Sequence, residues 1–291
     1  MSKYYCLIAG LPEITLDDTK KTYTVAEFKE ELTPILSERD KKFVRLFFLK
    51  YDNKNLLSYL RRGSLTGFDT KGVFSAEEIR EICSLMKNEK KAPEKISVPA
   101  YFLNFIKGYY ARFEEEVTPE HHILWEDKLS SSYYNEAMKC TNGFLASWFE
   151  LNLNIGNILA AHNCREHGLD RGAYIVGDNE IAKMLRKSNM RDFAVDNPLE
   201  YITELFQIAE EKDLFMRERR IDVLRWNWLE DNILYKTFDI VSVIAYLLRL
   251  EMIERWIGLS KSHGEDTFRG LVANMKRGSL STLEKFKENN K

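Results

Sequence analysis

One short pattern occurs twice in this chain and constrains its fold more than any other feature. At Asp52-Asn53-Lys54-Asn55-Leu56-Leu57, and again at Asn154-Ile155-Gly156-Asn157-Ile158-Leu159, an Asp or Asn stands three residues before an Asn that two aliphatics follow. The first copy runs on to Arg61 and the second to Arg165. The leading Asp52 or Asn154 reads as a helix cap, its side-chain oxygen accepting from the free N–H groups of a first turn. Each copy is therefore expected to be a tight polar turn that feeds a short amphipathic helix. Two such units, roughly a hundred residues apart, predict repeated helical units and an architectural protein rather than an enzyme.

Composition agrees with a helical chain. The 291 residues include only 14 Gly and 6 Pro, which favours long helices over a turn-rich β fold. At 44% hydrophobic and 12% aromatic, the chain can bury a sizeable core and does not resemble a disordered one. Charged residues make up 30%, yet the net charge is −2, so the basic excess that a nucleic-acid partner demands is missing. Cys6, Cys83, Cys140 and Cys164 are widely spaced, which fits a reduced, cytoplasmic setting better than a disulfide framework. Tyr4–Ala9 is too short an apolar run for a secretory signal. The longest apolar run, Ile240–Leu250, is interrupted by Arg249 and followed by Glu251, Glu254 and Arg255. No direct membrane span is expected from it, since a span needs about 20 apolar residues.

Helix starts are frequent. Thr24 with Glu27 forms a capping box that Tyr23 and Phe28 can staple, and Ser75 with Glu78 repeats it between Phe74 and Ile79. The first of these helices should bury Val25, Phe28, Leu32 and Ile35. Ser37 opens the next, which carries Phe43, Leu46 and Phe47. Pro119 and Pro198 each occupy a first helical position. The stripe Leu199, Ile202, Leu205, Phe206 and Ala209 follows the second of these prolines. Strand character is confined to Tyr4–Ala9 and Tyr174–Val176. Lys87–Pro99 and Lys187–Pro198 read as linkers. They divide one compact helical unit, 1–291, into approximate subdomains 1–95, 96–195 and 196–291. Arg219–Asp231 is at most a degenerate third copy of the pattern.

Chemistry-bearing motifs are scarce. Neither phosphate-binding glycine loops nor H-E-x-x-H nor G-x-S-x-G patterns occur. No His has Glu three residues before it, which excludes a di-iron bundle. His121 and His122 with Glu126 and Asp127 form the best metal candidate, although adjacent histidines near a helix start are ordinarily solvated. Cys164 and His167 supply only two ligands, too few for zinc. Glu114–Glu116 reads as a solvated face, Arg217–Arg220 as a basic contact patch or an exposed helix face, and Trp226, Trp228 and Tyr235 as packing residues. No catalytic residue, cofactor or metal is expected.

The two copies at Asp52, Asn55, Leu56 and Arg61 and at Asn154, Asn157, Ile158 and Arg165 resemble the C-subunit family of the V/A-type rotary ATPases (ATP synthases), whose eukaryotic counterpart is the V-ATPase d-subunit. A C-terminal series, Ala245-Tyr246-Leu247, Glu251, Arg255, Ile257, Lys261 and Gly264, is similar to that family's closing signature. Ser260 stands where the family has Gly, and Ile253-Glu254 where it has an Asn just ahead of the Arg. The resemblance covers nearly the whole chain and places it in a divergent bacterial branch. It implies an all-α protein of three similar helical subdomains arranged as a funnel. A protein of that kind is non-catalytic. It belongs to the central stalk and couples a coiled-coil rotor shaft to the membrane proteolipid ring, peripherally on the cytoplasmic face. Possible interface residues under that reading are Asp52, Asn55, Arg61, Asn154, Asn157, Arg165, Arg255, Lys261 and Gly264. Two alternatives stand beside it: a helical scaffold or adaptor unrelated to ATPases, and a metalloenzyme using His121, His122 and Glu126.

Overall fold

A computed structural model of the chain describes residues 4–18, 23–88, 96–111, 119–187, 201–234, 236 and 238–259, with the backbone alone at 119–124. Of these, 75% are helical and none lies in a strand. Neither segment with strand character forms a strand, although Ile175 keeps an extended backbone after α8. Tyr5–Gly10 forms α1, and Arg171–Tyr174 forms α8, started by the Asp170 carboxylate accepting from the Gly172 N–H at 2.9 Å. Among the described residues no helix is long and apolar enough to cross a membrane. The two linker segments fall largely outside the described residues.

The chain divides into two compact units, 35–235 and 1–34 with 236–291. The larger holds α3 (Glu38–Arg62), α4 (Ala76–Lys87), α5 (Ala100–Ala111) and α6 (Pro119–Ala137), then α7 (Gly143–His167), α8, α9 (Glu180–Lys187), α10 (Tyr201–Ala209) and α11 (Leu214–Ile233). Two helices of 25 residues, α3 and α7, organise it. Ser37 caps α3 by accepting from the Asp40 N–H at 3.2 Å, and Asn142 caps α7 by accepting from the Leu145 N–H at 3.3 Å. Both helices end at a left-handed glycine, Gly63 (φ 67°) and Gly168 (φ 65°), a conformation that a side chain would resist. Phe47 of α3 stacks on Phe149 of α7 at 5.1 Å between ring centres. Tyr133 of α6 meets Phe149 edge-on at 5.8 Å and donates its hydroxyl to the Leu46 carbonyl at 2.8 Å. The aromatic content is thus spent on joining helices, and the phenol that enters the core carries a hydrogen-bond partner with it.

The smaller unit joins both ends of the sequence. It contains α1, α2 (Val25–Leu32) and α12 (240–259). The capping box at Thr24 is complete: Thr24 Oγ1 accepts from the Glu27 N–H at 3.1 Å, and Glu27 accepts from the Thr24 N–H at 2.8 Å. Tyr23 packs on Phe28 at 5.8 Å, as the staple requires. Phe28, fully buried, meets Tyr246 of α12 at 5.2 Å, and the Tyr246 hydroxyl donates to the Pro12 carbonyl. Ile35 departs from the expected stripe. The helix stops at Leu32 and leaves Ile35 43% exposed. Asp239 caps α12, its carboxylate accepting from the Val241 and Ser242 N–H groups at 2.9 and 3.1 Å.

Candidate functional site

The pattern at Asp52 and Asn154 does not cap a helix. Asp52 lies well inside α3 and Asn154 well inside α7, and both are fully buried. The spacing of an Asp or Asn three residues before Asn-Leu-Leu fits a helix start, but it also fits one face of a continuous helix, and here the second arrangement holds. No Gly or Pro interrupts α3, and the aliphatics after the pattern continue its buried face. Asn53, Asn55 and Asn157 are buried as well, so five of the six buried polar residues among those described belong to this pattern; the sixth is Asp222 of α11.

These side chains grip the backbone of the segment that follows. Asn55 donates Nδ2 to the Asp69 carbonyl at 2.9 Å and accepts from the Asp69 N–H through Oδ1, also at 2.9 Å. Asn157 does the same to Val176, at 2.7 Å to the carbonyl and 2.8 Å from the N–H. A side-chain amide paired with both backbone groups of one residue acts as a short piece of sheet. Asp cannot replace it because it lacks the donor. Asp52 accepts from the Val73 and Phe74 N–H groups at 2.8 and 3.0 Å, immediately ahead of the Ser75 cap of α4. Asn154 accepts from Asn179 Nδ2 at 2.8 Å, and Asn179 in turn accepts the Ala182 N–H in the first turn of α9. The first copy therefore fixes the start of α4, and the second the start of α9.

A tyrosine from a third helix completes each arrangement. The Tyr101 hydroxyl of α5 donates to Asn53 Oδ1, and the Tyr201 hydroxyl of α10 accepts from Asn154 Nδ2, each at 2.9 Å. Burial pushes the pKa of both phenols up. The half-buried Arg45 guanidinium lies over the Phe74 ring at 5.4 Å and donates to the Ser97 carbonyl. Burial lowers its pKa, and the Asp52 charge opposes that shift. Two glycines let the clamped segments approach. A Cβ at Gly72 would come within 2.4 Å of Asp52 Oδ1, and one at Gly177 (φ 76°) within 3.0 Å of Leu153 Cδ2.

A third clamp sits in the smaller unit. Glu254 of α12 accepts from the Val25 N–H at 2.9 Å, next to the Thr24 cap of α2. Glu251 and Glu254 stand three apart on α12, as Asp52 and Asn55 do on α3. Glu254 thus holds the start of α2. Arg219–Asp231, at most a degenerate third copy by its spacing, lies within α11 instead. The sequence signal for Glu254 is weak, because its target lies 229 residues away.

The basic residues of the pattern are spread out. Arg61 and Arg165 lie in the last turns of α3 and α7, where a cation offsets the helix dipole. Arg61 pairs with Glu126 of α6 at 3.1 Å. Arg255 lies over the Trp256 ring at 5.5 Å. Lys261 and Gly264 fall outside the described residues, as do the side chains of His121 and His122. Cys164 is buried, and its thiol pKa is raised by burial. Among the described residues no three His, Cys, Asp or Glu side chains gather into a metal-binding group.

No curated protein and no solved structure matches this chain. The model of one family, DUF2764, described as a protein of unknown function, matches residues 1–279, and the chain belongs to that family.

Proposed function

We propose that this chain is the non-catalytic central-stalk component of a V/A-type rotary ATPase, linking the coiled-coil rotor shaft to the membrane proteolipid ring from the cytoplasmic side. The observation that carries this reading is the coincidence of two things reached separately. The residues on which the resemblance rests, Asp52, Asn55, Asn154 and Asn157, are the ones that the fold buries and uses to lock one helix onto the next. A third clamp at Glu254 falls within the stretch that resembles the family's closing signature.

A component that transmits torque needs helices that do not slip on one another. Buried, fully paired polar contacts supply that rigidity and add a register that apolar packing alone leaves loose. In this reading Arg61, Arg165, Arg255 and Lys261 are candidates for the polar contacts with the shaft, and the clamps hold the helices that present them. Tagged protein purified from its native host under mild extraction should bring down shaft and proteolipid components. Charge reversal at Arg61 and Arg165 should weaken that recovery in a salt-dependent way, with helical content unchanged. Recovery of no rotary-ATPase component would overturn the reading and leave a helical scaffold in its place.

A further inference from the structure

Between α3 and α6 lies an open cleft of about 460 Å³, a volume within the range of small-molecule sites. Both walls are single helix faces. On α3, Lys50, Asn53, Lys54, Leu57, Ser58 and Arg61 follow at helical spacing, with Arg62 beside them. On α6 the wall is Glu126, Leu129, Ser130, Tyr133 and Tyr134. Four cations therefore face one carboxylate, and that carboxylate already pairs with Arg61. Two of the cations have a local reason to be there, since Arg61 and Arg62 lie in the last turn of α3. Lys50, over the Tyr51 ring at 5.0 Å, and Lys54 stand in mid-helix, where no dipole argument applies. Lys54 and Arg62 are exposed, and neither has a partner among the described residues.

Asn53 lines the cleft between these cations. It is 8% exposed, its Oδ1 is taken by the Tyr101 hydroxyl, and among the described residues nothing accepts from its Nδ2. That donor reaches the open cleft, where water or a ligand can accept from it. Ser58 and Ser130 add hydroxyl donors, while Leu57, Leu129 and the Tyr134 ring give the same cleft an apolar side. The surplus of cations calls for more than one negative charge on the ligand. The donors call for acceptor oxygens, and the apolar side calls for an organic body.

We propose that this cleft binds an organic phosphate, with Lys50, Lys54 and Arg62 on the phosphate oxygens and Asn53 Nδ2 donating from the floor. The phosphate could come from a free nucleotide or from a lipid headgroup, and both have the same chemistry at the contact. The inference does not depend on the rotary-ATPase reading, and its test uses the isolated full-length chain.

Full-length protein is titrated calorimetrically with pyrophosphate, with ADP, and with phosphatidylcholine vesicles with or without phosphatidic acid. We expect one binding event per chain for a soluble phosphate or for the phosphatidic acid vesicles. It should weaken about tenfold or more in Lys54→Ala/Arg62→Ala, which alters only exposed residues, and in Asn53→Asp, which keeps the acceptor for Tyr101 but puts a negative charge where the donor stood. Far-ultraviolet circular dichroism checks that each variant is folded. If Asn53→Asp fails to fold, the Lys54→Ala/Arg62→Ala variant decides alone. Binding only to phosphatidic acid vesicles, lost in the same variants, assigns the phosphate to a lipid. The proposal is overturned by no binding of any probe at millimolar concentration, or by binding that survives the substitutions. Binding of poly-glutamate in place of every phosphate would equally overturn it and make the cleft a docking site for an acidic segment.

Discussion

At the scale of single residues, Asp52 carries the sharpest expectation. As a cap its loss would cost about 0.5–2 kcal/mol. As a buried clamp its loss leaves the Val73 and Phe74 N–H groups without acceptors, at about 1–3 kcal/mol each. Asp52→Ala should therefore lower the unfolding free energy by more than any cap substitution, for example Thr24→Ala, when both are measured by urea denaturation at neutral pH. Two glycine substitutions should move in opposite directions in the same assay. Gly72→Ala forces a methyl group against Asp52 Oδ1 and should destabilise. Gly156→Ala adds a methyl group on α7 that meets nothing within 4 Å and should stabilise by about 0.5–1 kcal/mol. A stabilising Gly72→Ala would mean that the clamp has room to give.

At the scale of elements, the helix boundaries set by side-chain caps are legible in the sequence. Thr24 with Glu27, Ser75 with Glu78, and Ser37 all cap where their spacing says they should, because a cap is a contact between near neighbours. Asp52 and Asn154 escape that rule for the complementary reason. Their partners, Val73 and Asn179, lie 21 and 25 residues away, and no local rule separates an Asp that caps from one that a later loop covers. The recurrence itself is visible in the sequence; what it does is not. The α4–α5 pair gives an expectation that only packing reveals. Burial pushes the Cys83 thiol of α4 and the Tyr110 phenol of α5 up to about 12. Their folded-state pKa values are raised, so the neutral forms are favoured by folding. That stability is fully present below the ordinary values and is lost as pH rises toward about 12. Urea midpoints should fall steadily from about pH 9 upward, and Cys83→Ala should flatten part of that slope. A midpoint independent of pH up to about 11 would contradict the burial of both groups.

At the scale of the whole molecule, the consequential feature is that one compact unit is built from both ends of the sequence. Residues 1–34 and 236–291 form it, while 35–235 form the other. Three equal consecutive parts are the natural expectation for a chain with a recurring pattern. The sequence alone does not reveal that the third clamping helix, α12, finds its clamped partner, α2, at the opposite end of the sequence. Removing residues 1–34 takes away the Val25 N–H that Glu254 accepts from, the Pro12 carbonyl that receives the Tyr246 hydroxyl, and the Phe28 ring that packs on Tyr246. Val243, Ile244, Ala245 and Leu247 are nearly or fully buried and belong to that same unit. Deletion of 1–34 should therefore strip amide-exchange protection from 240–259, while α7, whose clamps on Val176 and Asn179 lie wholly inside 35–235, keeps its own. The measurement is hydrogen–deuterium exchange followed by peptide mass analysis of the full and shortened chains. A second arm, Glu254→Ala in the full-length chain, should loosen the first turn of α2 far more than the middle of α12, because only one of the three contacts is lost. If α12 stays protected after the deletion, the N-terminal segment does not complete the third unit, and the recurrence of a long helix clamping a capped short one stops at two.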